Sequence, residues 1–204
     1  MTARRVFLVF IAGCLWAMFP MAGVAAAPLL ERLVVEIEKS ASSQRDLEVY
    51  MALRSFVIEG AVHVEVSDPS IWSQNLDRYA WDMIVDHEAQ RLGSFQIDGR
   101  TLGKIADAWD RLVTKDPAVA SFTRRLAVDR DTVRAAATTV LRVQAFISTK
   151  ERQTLQGIKE TFRPGVLNPK AEWFVKLEQR LSYRVFEGAR NYVRIDTGDL
   201  GSKH

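Results

Sequence analysis

Cysteine is almost absent from this 204-residue chain: Cys14 stands alone, beside three histidines and six prolines. A single thiol excludes an internal disulfide and any Cys-x-x-Cys redox or zinc motif. The histidines, His63, His87 and His204, form no His-x-x-x-His pair, and no Gly-x-Ser-x-Gly nucleophile elbow is present. Two familiar routes to hydrolysis are thereby removed. A strong excess of one charge is lacking as well, with 28 basic against 25 acidic residues.

Long apolar runs are also scarce, and the one that exists is at the start. Arg4 and Arg5 precede an uncharged stretch from Val6 to Ala27 that ends in small residues before Pro28. A basic start, an apolar middle and Val24 and Ala26 at −3 and −1 of a cut describe an export signal over residues 1–26. The expectation is a periplasmic or secreted protein beginning at Ala27. Two other readings exist. The run reaches the roughly 20 residues of a spanning helix, which would make it an uncleaved inner-membrane anchor with the arginines inside. Ile11-Ala12-Gly13-Cys14 resembles the lipobox of bacterial lipoproteins, yet the chain stays apolar after Cys14, where lipoproteins turn polar.

Without the signal's two arginines the balance is 26 basic to 25 acidic, so an electrostatic case for nucleic acid is absent. The charges are unevenly placed. Residues 28–110 hold 8 basic and 15 acidic groups, and residues 111–163 hold 11 and 5. Either the two parts face each other, or the second presents a cationic face to an envelope protein or an anionic envelope component. Arg124, Arg125, Arg130, Arg134 and Arg142 would carry that face.

Helical periodicity dominates the rest. It predicts segments over Leu29–Lys39, Gln44–Glu59, Asp68–Leu92 and Thr101–Lys115. A long stripe follows over 118–147, broken near Val128–Asp131, and further helices follow from Ser148 and from Asn168-Pro169 to about Tyr192. Alternation in Ala61–Val66 and in Ser94–Asp98 predicts a two-stranded ribbon over 61–66 and 94–98. The expected fold is mainly α: one bundle-like domain of six to seven helices over 27–195, with a minor ribbon and a disordered tail at 196–204. The long stripe over 118–147 also suits a homo-oligomer.

No cofactor motif and no metal-ligand spacing stands out, although His63, Glu65 and His87 are conceivable ligands. Glu59, Asp77, Asp82 and Asp86 lie on or near apolar stripes, where a carboxyl could serve as an acid. Arg54 and Arg134 sit near apolar positions, and Gln144 shares a segment with Arg134. Trp81 lies off the main stripe of its helix, which suits an anchor for a partner. The expected function is non-enzymatic binding through the basic segment 119–142 or through a groove between helices. The alternative is a small helical enzyme or sensor with an Arg/Glu/Gln pocket inside the bundle. The mass of the protein recovered from its own cell envelope is expected to begin at Ala27; a retained Met1 would establish an anchored subunit.

Overall fold

The computed structural model describes residues 32–93, 95–154, 171–187 and 190–192. The expected export signal, residues 155–170 and the expected tail lie outside the described residues. Those described form six helices and a four-stranded antiparallel sheet, so the chain is mainly α with a minor β component.

Strands β1 (Leu33–Ile37) and β2 (Ser40–Ser43) make a hairpin whose turn places Glu38 at φ 53°. Ser43 then caps α1 (Gln44–Glu59). Its backbone N–H donates to Asp46 Oδ2 at 2.9 Å, and its hydroxyl accepts from the Asp46 N–H at 3.3 Å. This reciprocal box satisfies two donors that a helix start otherwise leaves open. Gly60, at φ 73°, ends α1 in the left-handed conformation that glycine adopts without strain.

Helix α2 (Trp72–Arg91) follows an extended connector. Asp98 caps α3 (Gly99–Lys115), and Asp116 caps α4 (Pro117–Arg125) with proline in the first turn. The stripe predicted over 118–147 is two helices. The chain breaks at 126–129, where Ala127 takes φ 48°, and resumes as α5 (Arg130–Thr154). Asp129 is exposed there and accepts from the Thr132 N–H at 2.7 Å and hydroxyl at 2.6 Å, as a capping residue does. Arg45 clamps the break from α1, donating to the carbonyls of Leu126 and Ala127.

Helix α5 is the spine, packed against α1, α2 and α3. Its Val140, Val143, Phe146 and Ile147 join β1, α1, α2 and α6 (Glu172–Arg180) in one core. Its Val133 joins Val49, Ala52 and Leu53 of α1, with Trp109, Val119 and Phe122, in a second. Strand β3 (Tyr183–Glu187) pairs with β1, setting Val35 opposite Val185 and Glu36 opposite Arg184, and β4 (Arg190–Tyr192) completes the order β2-β1-β3-β4.

Several expected elements differ. Residues 33–39, expected within a helix over Leu29–Lys39, belong instead to the hairpin over 33–43; Val34 and Val35 are both buried and mask the period of two. Residues 61–66 and 95–98 form no strand. Val62, Val64 and Val66 do turn inward and His63 and Glu65 outward, but no ladder partner lies beside them. No helix starts at Ser148: α5 runs through it without a break to Thr154, and the neighbouring Thr149 donates to the Ala145 carbonyl at 2.8 Å. The last helix stops at Arg180, and Tyr183-Arg184-Val185 alternates as a strand.

Ser43→Ala removes a buried reciprocal cap. It is expected to lower stability by about 1 kcal/mol, read as a shifted urea midpoint with unchanged slope.

Candidate ligand-binding cleft

One cleft of about 770 Å³ opens between α1 and α2, closed on a third side by the connector. Helix α1 supplies Met51, Arg54, Ser55 and Glu59, and α2 supplies Gln74, Asn75, Asp77, Arg78 and Trp81. Spacings of three and four put each set on one face of its helix. His63, Val66 and Ile71 come from the connector.

The connector is held at both ends. Ser55 Oγ donates to the Ala52 carbonyl at 2.9 Å and accepts the His63 N–H at 3.2 Å. Asn75 Nδ2 donates to the Val66 carbonyl at 2.9 Å, and Ser67 Oγ donates to Glu48 Oε1 at 2.7 Å. At the rim His63 Nε2 lies 3.2 Å from Glu59 Oε2, with both side chains exposed.

Behind the cleft is a buried polar cluster. Asp82, 1% exposed, accepts on one oxygen from the Tyr50 hydroxyl at 3.0 Å and from Arg54 Nε at 3.1 Å. Tyr79 meets Tyr50 edge to face at 5.4 Å. Burial pushes the Asp82 carboxyl above its ordinary range, and Arg54, then Arg78, act in the other direction. Tyr50 is pushed up by the same burial and by the neighbouring Asp82.

Arg54 thus spans two environments: its Nε is fixed to Asp82, while its two terminal nitrogens have no protein acceptor among the described residues. Arg78 is half-buried on the facing wall and has no ion-pair partner among the described residues. Trp81 is half-buried between the cleft and the core, edge to face with Phe174 at 6.5 Å. Two guanidiniums and an indole on one concave surface can hold an anionic group and a flat apolar body. Among the described residues no group of three or more His, Cys, Asp or Glu is placed to hold a metal ion.

The five arginines of the basic segment are placed differently. Arg125 pairs with buried Glu48 at 3.0 Å and stacks on Phe122. Arg130 bridges Asp107 and Asp110, and Arg134 pairs with Asp131 at 3.2 Å. Arg142 pairs with buried Asp86 at 2.9 Å. Arg124 is exposed and has no ion pair among the described residues. Four of the five are therefore met by carboxylates of this chain, three of them by carboxylates from residues 28–110. Of the residues singled out from sequence, Arg54, Glu59, His63, Asp77 and Trp81 meet at the cleft, and Asp82 lies behind it. Arg78 was missed: it lies on the same side of α2 as Gln74, Asp77 and Trp81, a polar side that helical spacing alone does not mark as lining a cleft.

Comparison with protein-family models, with curated proteins and with solved structures finds no match.

The titration of Asp82 can be read in stability. Its folded-state pKa is raised, so the stability it contributes is full below the unfolded-state value and is lost as pH rises through the folded-state value. Glu88, held down chiefly by its hydrogen bonds from Arg91, acts oppositely: its contribution is lost as pH falls. Asp82→Asn is therefore expected to remove a decline in stability on the alkaline side of the ordinary carboxylate range. Asp82→Ala, which leaves Arg54 without its counter-charge, should cost about 3 kcal/mol near neutral pH. Urea titrations at several pH values check both; identical pH profiles for wild type and Asp82→Asn would refute the assignment.

Proposed function

We propose that this chain is an exported ligand-binding module whose α1–α2 cleft takes a small molecule bearing an anionic group, and that it acts by binding rather than turnover. The observation that carries this reading is that Arg54 and Arg78 line one cleft with Trp81 while a buried carboxylate fixes Arg54 from behind. A pre-positioned guanidinium loses less side-chain freedom on binding than one free in solvent. The cleft is also of the size that small-ligand sites commonly have. Docking through the basic segment is less well supported, because its arginines are largely matched to carboxylates within the fold.

Thermal denaturation against paired compounds tests the reading: aryl carboxylates, sulfonates and phosphate esters beside neutral molecules of the same shape. At about a hundredfold excess over Kd, a ligand adds roughly 2.7 kcal/mol. That corresponds to a rise of about 5 °C or more for a domain of this size. The anionic members should raise Tm, their neutral counterparts should not, and Arg78→Gln should cut the shift by about half. Equal shifts from both sets, or none from either, would defeat the proposal.

A further inference from the structure

The two arginines that line the cleft are also the two cations that act on Asp82, with Arg54 the stronger. Arg54 touches Asp82 directly at 3.1 Å, and its side chain is 14% exposed against 2% for that of the carboxylate. Asp82 has almost no contact with solvent, so its charge is balanced through these two guanidiniums and the Tyr50 hydroxyl. An anion on the terminal nitrogens of Arg54 and on Arg78 competes for the positive charge that favours the ionised form of Asp82.

Building on the cleft reading above, we infer that the cleft binds an anion and a proton together: the anion on Arg54 and Arg78, the proton on Asp82 behind them. The charge balances. One negative charge arrives on the ligand as one leaves the carboxylate, and the proton comes from solvent. The protonated carboxyl still accepts from Tyr50 and Arg54 on one oxygen and carries the proton on the other.

Asp86, one turn further along α2, is the other buried carboxylate near this cluster: it acts on Tyr50, burial raises it too, and Arg142 faces it from α5. Tyr50 and Arg54 face Asp82 from α1, Arg78 from its own helix, and Glu59, His63 and Asp77 stand at the cleft. The cations that other elements bring against α2 are engaged elsewhere: Arg142 of α5 on Asp86, Arg180 of α6 on Glu88, and Arg184 of β3 on Glu36. Linkage is reciprocal, so if the anion promotes protonation of Asp82, protonation tightens the anion by the same factor. Affinity is then highest on the acid side and weakens as pH rises through the titration of Asp82, by up to about tenfold per pH unit.

Isothermal titration with benzenesulfonate, which stays ionised throughout, tests this. The full processed protein is titrated in two buffers of different ionisation heat at each of several pH values. Net uptake of up to one proton per anion is expected, with Kd rising with pH. Arg78→Gln should weaken binding about tenfold through loss of a charged hydrogen bond. Asp82→Asn should bind at every pH about as tightly as the wild type does at the acid end, with no proton uptake. Wild-type binding without proton uptake, Kd flat with pH, overturns the coupling and leaves the cleft standing. No binding, or binding indifferent to Arg78→Gln, overturns the cleft and the coupling with it.

Discussion

Buried carboxylates organise this fold. Helix α2 buries Asp82, Asp86 and Glu88, and α1 buries Glu48. A charge withdrawn from water is tolerated when a cation and hydrogen bonds meet it, and each of these four is met by an arginine of another element. Arg54 comes from α1, Arg142 from α5, Arg180 from α6 and Arg125 from α4. Apolar packing alone would let α2 rotate among similar arrangements. Three carboxylates within two turns, each needing a different neighbour, leave one rotation and one set of contacts.

The cleft follows from that constraint. Once Asp82 faces α1 through Arg54 and Tyr50, the next side of α2 carries Gln74, Asp77 and Arg78 to the cleft, with Trp81 between the cleft and the core. These residues cannot close on α1, because the connector with Val66 and His63 holds the helices apart at that end. The opening is thus set by side chains that are themselves fixed, a condition under which polar groups recognise a ligand with little rearrangement.

The helices were legible wherever capping and stripe agreed: Asp116 and the break at Asp129 both lie where turn chemistry and periodicity change together, whereas Asp98, read as the end of a strand, caps α3. The strands were not, for two separate reasons. Burial on both faces hid the alternation of β1, and alternation in Ala61–Val66 reported an extended, half-buried chain without reporting a partner strand. Alternation is a statement about two faces, while a sheet needs an edge to pair with, and pairing of β1 with residues 183–187 is remote in sequence. At the cleft, Arg54 and Trp81 could be read from their positions against apolar stripes. Arg78 could not, since nothing in one helix's periodicity says which polar side will look across a gap at another helix.

The ion pairs that join the acidic and basic parts bear on the order in which the chain can fold. Residues 28–110 carry seven more negative than positive groups. Among them Glu48, Asp86, Asp107 and Asp110 still await Arg125, Arg142 and Arg130, and β1 awaits β3. Helix α2 thus acquires the cation for Asp86 only with α5, and the acidic part of the chain comes near charge balance only with its basic counterpart.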